Sequence, residues 1–291
     1  MNKNSKIIHL DCTFRDGGYY NGWNFDINLI QDYLFAMSSS NIDYVELGFR
    51  SFDTKVYRGA CAYTTDTFLE QLEIPDNINI GVMMNASEVV RHSKGPLEAV
   101  KEMFIPADKS KVSLIRFACH AHEIIALLDS CKYLKSLGYV VGLNLMQIST
   151  IEDEKVLDLI SKIKSEHIDV FYFADSLGNM KPSDVSHIVA LIRQSWVGEI
   201  GIHTHDNLGY ALINTLTALE DGALWLDSTV TGMGRGPGNA KTEYLSIELA
   251  HIRDSKINMG PIASLVNKYF QPMKERYGWG TNPYYFLAGK Y

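Results

Sequence analysis

The sequence lacks any apolar run of about 18 residues, so no transmembrane helix is expected. It also lacks a signal peptide: the N-terminus, M-N-K-N-S-K-I-I-H-L, turns polar again at Asp11 before an apolar region of sufficient length forms. Cysteine is scarce, and the four present (Cys12, Cys61, Cys119 and Cys131) include no C-x-x-C pair. That spacing argues against a disulfide framework or a zinc knuckle and for buried free thiols in a reducing cytoplasm. No lysine run or basic stripe occurs, and 27 Lys plus Arg against 34 Asp plus Glu give a net charge of -7. Neither nucleic acid nor a membrane is an expected partner of such a surface. Missing too are a dinucleotide fingerprint after the first strand candidate and the G-K-[ST] ending of a P-loop.

What is present has an ordinary globular balance. Of 291 residues, 46% are hydrophobic and 21% charged, enough for one large core or two modest ones. Apolar runs of strand length fall at 7–13, 43–49, 78–84, 112–118, 139–146, 168–174, 199–204 and 223–229. Several, such as V-S-L-I-R-F-A and V-F-Y-F-A, are nearly continuous, as strands covered on both faces are. Helical spacing fills 27–40, 64–72, 121–137, 151–166, 183–194, 208–221 and 241–253, with a further helix at 86–103 interrupted by Gly95-Pro96. Ser149 or Thr150 reads as a cap before the acidic turn Glu152–Glu154; Pro182 marks another start, and Gly138 and Gly222 mark stops.

Eight strand and eight helix candidates in alternation predict a (β/α)₈ TIM barrel over residues 1–255. Residues 256–291 read as a C-terminal extension, with a helix at 260–273 followed by an aromatic stretch. Its stop on Lys290-Tyr291, straight after an apolar run, reads as an end that could lead into a further domain.

A barrel predicts chemistry at the C-terminal ends of its strands. The first strand ends in D-C-T-F-R-D-G-G; alternation sends Asp11, Thr13 and Arg15 one way, and Asp16 opens the loop. R-D-G alone is more often a turn with a surface ion pair, but at a barrel mouth a carboxylate beside a guanidinium suits a metal together with an anionic oxygen. The seventh strand ends in G-I-H-T-H-D-N-L-G, placing His203 and His205 on one side. A bare H-x-H is more often two histidines satisfied by backbone. With Asp16 at the same end, two imidazoles and a carboxylate match an open, catalytic metal arrangement.

The loop T-G-M-G-R-G-P-G-N after the eighth strand has the glycine content of a phosphate cradle, and Asn239 at its end could give a carbonyl oxygen to the metal. Glu46, inside V-E-L-G-F, needs a buried partner, for which Arg15 and Arg116 are candidates. Polar residues also mark other strand ends: Arg116 and His120 on the fourth, Asn144 on the fifth, Asp175-Ser176 on the sixth. Met146 and Met180 read as packing.

D-C-T-F-R-D-G-G, G-I-H-T-H-D-N-L-G-Y-A and G-M-G-R-G-P-G-N-A-K-T-E, in that order, resemble the DRE-TIM metallolyase (HMGL-like) family from about residue 7 to about 253. The resemblance is nearest to the 4-hydroxy-2-oxovalerate aldolase branch. It implies Asp16, His203, His205 and Asn239 as metal ligands, Arg15 as the enolate-stabilising arginine and Glu46 as a site glutamate. It also implies Ser176, with Arg116 and Asn144 nearby, for binding a keto acid. Two departures stand out: the lyase branch's loop cysteine is absent, with Met233 in that loop, and the aldolase branch's histidine four residues after the arginine is Tyr19.

The resulting expectation is a divalent-metal-dependent aldolase, with Mn²⁺ or Mg²⁺ favoured over Zn²⁺ or Co²⁺. It would pass through a pyruvate-type enolate of a 2-oxo acid, with an aldehyde as second product and Tyr19, His120 or a metal-bound water moving the proton. The alternatives are an acyl-CoA Claisen-condensing enzyme of the isopropylmalate or homocitrate synthase type, a metal-dependent hydrolase, and a non-catalytic barrel within a larger protein. A homodimer is the family-level expectation, and the short tail argues against a dehydrogenase partner.

Overall fold

The structure is a computed structural model that describes residues 6–54, 56 and 58–290; residues 1–5 and 291, at the ends of the two segments expected above, lie outside them. All eight expected strands form: β1 (Ile8–Asp11), β2 (Tyr44–Phe49), β3 (Asn79–Asn85), β4 (Val112–Cys119), β5 (Val140–Leu145), β6 (Val170–Asp175), β7 (Glu199–Thr204) and β8 (Trp225–Ser228). Each pairs in parallel with the next, and β8 closes on β1 through Leu10 opposite Asp227. This is the predicted TIM barrel.

The helices follow the expected order with shorter bounds. The 86–103 segment splits at Gly95 (φ 88) into Ala86–Val90 and Pro96–Met103, with proline opening the second helix. The 64–72 and 151–166 candidates contract to Asp66–Leu69 and Asp153–Ser161. The cap expected at Ser149 or Thr150 is not formed. Both belong to a 3₁₀ turn, Ile148–Thr150, entered through Gln147 in the left-handed region, and Glu152 is the residue flanking the helix. The Ser176 hydroxyl accepts the Gln147 N–H (2.9 Å), which fixes that turn.

Strand β1 stops short of its predicted end for a local reason. The Asp11 carboxylate accepts the Thr13 N–H (2.8 Å) and the Thr13 hydroxyl (2.5 Å), which turns the chain into a short helix, Thr13–Gly17. Asp11 therefore points outward, where Tyr33 and Thr242 of two flanking helices also donate to it. The expected alternation beyond Asp11 does not occur: Arg15 and Asp16 both sit on the helical turn, and both are buried.

The barrel interior is filled in layers. Ile8, Leu10, Cys12, Leu114, Val170, Tyr172 and Trp225 form its apolar part. Strands β2, β4, β6 and β8 contribute the inward groups Glu46, Arg116, Tyr172 and Asp227, as alternate strands do in the layers of such barrels. The intervening strands make room with glycine: a Cβ on Gly201 would lie 2.2 Å from the Tyr172 ring, and one on Gly142 would lie 3.2 Å from Arg116. After the barrel, a continuous helical stretch runs from Gly260 to Tyr277, and a last short helix spans Pro283–Ala288. Among the described residues no helix is long and apolar enough to cross a membrane.

Candidate active site

The helical turn after β1 brings a guanidinium and a carboxylate to the mouth of the barrel, and the barrel interior locks them there. Arg15 Nη1 donates to Asp16 (2.9 Å) and its Nε donates to Glu46 (2.8 Å). The other face of Glu46 is held by two donors of Arg116 (2.7 and 2.8 Å). Arg116 Nη1 in turn reaches both oxygens of Asp227 (3.0 and 2.8 Å). Asp227 accepts from Nδ1 of His203 (3.0 Å), and His203 Nε2 lies 3.6 Å from Asp16, which closes a ring of six buried side chains. Three carboxylates against two guanidiniums leave that ring one negative charge in excess when the histidine is neutral. Uncompensated charge is costly in a buried site, so the arrangement favours a bound cation.

The protonation states follow from burial and from these partners. Burial alone would raise the Asp16 pKa, but Arg15 and His203 hold it well below the ordinary carboxylate range. Burial likewise opposes ionisation of Asp227, but Arg116, His203 and Arg15 together hold it below the ordinary carboxylate range. Burial lowers His205 to about 3 despite the attraction of Asp16, so its imidazole is neutral and free to ligate. For His203 burial also acts downward, but hydrogen bonds to Asp16 and Asp227 carry it above its usual value.

The ligating atoms of Asp16, His203 and His205 all lie within 4.8 Å of one another. Asn239 joins them through Nδ2, which donates to Asp16 (2.5 Å), while its Oδ1 is buried without a partner. The His205–Asn239 bridge ties the glycine-rich loop to the end of β7. Cys12, His203 and Asp227 form a second close group. Burial keeps the Cys12 thiol well above its usual range, and Asp227 is already engaged by Arg116, so that group is not suited to a metal.

A cavity of about 800 Å³ opens above the cluster. Of the residues picked out in the sequence, Arg15, Asp16, Tyr19, His120, Asn144, Ser176, His203 and His205 line it. The unpartnered, buried Nη2 of Arg15 and Oδ1 of Asn144 belong to this wall. His120 is seated by a reciprocal pair: its N–H donates to Glu123 (2.8 Å), and the Glu123 N–H donates to its carbonyl (3.0 Å).

Two expectations are corrected. Arg116, expected to bind substrate, is fully buried, with its donors spent on Glu46 and Asp227, and it does not reach the cavity. Glu46 also lies beneath the cavity and acts by holding Arg15 in place. In the glycine-rich loop the N–H groups of Gly232, Met233, Gly238 and Asn239 are taken within the segment Thr229–Asn239, while Arg235 and Gly236 at its tip line the cavity. Its Met233 packs against Gly17, where a Cβ would lie 2.6 Å from the sulfur. Met146, read as packing, lines the cavity. The sequence reading missed Asp227 and Arg235. Asp227 lies inside the apolar strand W-L-D-S, and the argument applied to Glu46, that a buried carboxylate needs a partner, would have found it.

The HMGL-like family model matches residues 6–267. The chain is 28% identical to the 4-hydroxy-2-oxovalerate aldolase of Carboxydothermus hydrogenoformans, over 93% of this chain and 79% of that protein. It is 27% identical to 4-hydroxy-2-oxovalerate aldolase 4 of Rhodococcus opacus, over 93% and 76%. Among solved structures, the N-terminal domain of a Bacteroides vulgatus protein assigned as an aldolase superposes with a TM-score of 0.87 at 33% identity, covering 97% of this chain and 92% of that one. The HMG-CoA lyase of Bacillus subtilis shares the fold, with a TM-score of 0.72 at 17% identity over 98% of both chains.

Proposed function

The chain belongs to the HMGL-like family as a carbon–carbon lyase of aldolase type, and from that premise we propose that it is a divalent-metal-dependent aldolase acting on a 2-oxo acid. The observation that carries this reading is the cluster of Asp16, His203 and His205 beside Arg15, which lines the cavity and whose buried Nη2 has no partner. Asp16, His203 and His205 would hold the cation, with the Asn239 amide oxygen as a further candidate. Imidazole nitrogens and a carboxylate fit Mn²⁺ or Mg²⁺ with an oxygen-rich substrate. Bound there, the cation would supply Lewis acidity toward a keto oxygen and the positive charge that the buried ring lacks.

The remaining work falls to the chain's own groups. Arg15, clamped by Glu46 and Asp16, donates Nη2 to the oxygen on which charge develops. Asn144 and Ser176 line the wall that orients the keto acid. His120, an imidazole that lines the cavity and is seated by Glu123, is the proposed base. It takes the proton from the C4 hydroxyl, and the O–H pair becomes the aldehyde carbonyl. The C3–C4 bond breaks, and its electron pair forms the enolate. Protonation at C3 then completes the keto acid, and the reverse sequence is aldol addition. Tyr19, exposed at 44%, contributes to the outer wall.

The test is exchange of the pyruvate methyl protons in D₂O, followed by NMR with Mn²⁺ and with EDTA. Chelator-sensitive exchange that Arg15→Ala abolishes, in a variant whose circular dichroism matches the parent, is the expected result. No exchange by the metal-loaded protein rejects the reading.

A further inference from the structure

The cavity is far larger than a pyruvate-type donor and a two-carbon aldehyde need. Together these have nine non-hydrogen atoms, which at the roughly 30 Å³ share of a water molecule occupy about 270 Å³. The cavity holds about 800 Å³, which leaves room for a longer acceptor. Besides Asn144, assigned above to the keto acid, its wall carries four carboxamides, Asn85, Gln147, Asn179 and Asn207. Among the described residues the side chains of Gln147 and Asn179 make no hydrogen bond. An apolar acceptor would leave these groups unpaired on closure, whereas hydroxyl groups satisfy them.

One cation stands at the rim. Arg235 lines the cavity with its guanidinium carbon 4.7 Å from the centre of the Tyr19 ring. Among the described residues no carboxylate lies within ion-pair reach of it. The one carboxylate on the cavity wall, Asp16, is engaged by Arg15 and Asn239. Arg235 is held on both flanks: Tyr20 Oη donates to the Gly234 carbonyl (2.9 Å), and the Gly280 N–H donates to the Gly236 carbonyl (3.0 Å). A guanidinium without a carboxylate partner, on a loop anchored at both flanks, is suited to bidentate capture of a phosphate or carboxylate.

We propose that the outer cavity is a subsite for a hydroxylated aldehyde bearing a terminal anionic group, with Arg235 as the residue that selects the anion. This rests on the aldolase reading and names its acceptor class. The experiment compares kcat/KM of the Mn²⁺-loaded protein, with pyruvate as donor, for D-erythrose 4-phosphate, D-erythrose, butanal and succinic semialdehyde. Parent and Arg235→Gln are measured side by side, and methyl exchange without aldehyde serves as the control for the aldolase reading itself. Erythrose is expected to outperform butanal. At least one anionic aldehyde is expected to exceed its neutral counterpart about tenfold or more, and the larger gain tells phosphate from carboxylate. In Arg235→Gln that anionic-to-neutral ratio falls about tenfold. Butanal matching erythrose, no gain from either anion, or a ratio unmoved in the variant overturns the proposal while exchange persists. Absence of exchange overturns the aldolase reading and the subsite together.

Discussion

Asp227 on β8 lies 3.0 Å from Nδ1 of His203 on β7, and the same carboxylate is clamped by Arg116. An ionised carboxylate can only accept, so His203 Nδ1 carries a proton toward Asp227, and Nε2, 3.6 Å from Asp16, is the nitrogen left to meet a cation. Asp227→Asn offers that proton an amide instead and releases the tautomer. Cation affinity is expected to fall about 10- to 100-fold, measured by titration calorimetry of the metal-free protein with Mn²⁺. Unchanged affinity would remove Asp227 from the positioning of His203.

Arg15→Lys keeps the charge but not the fork. One ammonium cannot hold Glu46 through one nitrogen and Asp16 through another while presenting a third to substrate. Methyl exchange at saturating pyruvate is expected to drop about 10²- to 10³-fold. Exchange within a few-fold of the parent would show that position-specific hydrogen bonding is not needed.

If His120 is the base, its protonation stops the reaction, so kcat/KM for cleavage falls on the acid side. His120→Gln is expected to flatten that limb, and Tyr19→Phe to lower the rate while keeping it. The opposite pattern would transfer the role to Tyr19. Both variants are read from full pH profiles rather than from one rate.

His9 is buried and bonded to the Ser228 hydroxyl (2.7 Å). Burial, reinforced by Arg253, depresses its pKa from 6.5 to about 3. The unfolded chain therefore binds this proton more readily, and stability is lost as pH falls through the window from about 6.5 to about 3. At about 1.4 kcal/mol per unit the loss is up to about 5 kcal/mol. His9→Gln is expected to flatten the acid limb of stability in urea unfolding between those pH values. A limb of unchanged steepness would refute the assignment.

Trp279 is 2% exposed and donates Nε1–H to the Thr231 carbonyl, while Tyr20 stacks near it and Tyr277. The C-terminal stretch thus braces the loop that ends in Asn239. Trp279→Ala is expected to cost about 3–5 kcal/mol in denaturant unfolding and to weaken Mn²⁺ binding. Trp279→Phe isolates the hydrogen bond at about 1 kcal/mol. Loss of stability with intact metal affinity would limit the brace to packing.

The number, order and direction of the strands were legible because a strand buried on both faces must be apolar along its length, and eight such runs alternate with helical spacing. Gly138 and Gly222 also stood where helices stop, each with a positive φ just past a helix end. The candidate metal cluster was legible too, because H-x-H and R-D-G fell at strand ends where a barrel exposes side chains. Sequence could not tell that Glu46 and Arg116 lie under the cavity instead of in it. That depends on how far each strand is staggered around the barrel, which pairing register sets and local pattern does not.

By itself, then, the sequence determined the barrel and the kinds of groups at its mouth, since both follow from short-range periodicity and residue chemistry. Only the tertiary structure decided how these charges join: Glu46, expected to meet Arg15 or Arg116, meets both, and Asp227 continues the chain. The ring from Arg15 through Glu46, Arg116, Asp227 and His203 to Asp16 joins five separate segments, and no spacing along the chain encodes it. The same holds for Arg235, which becomes a rim cation only because Tyr20 and Gly280, from opposite ends of the chain, hold its loop against the cavity.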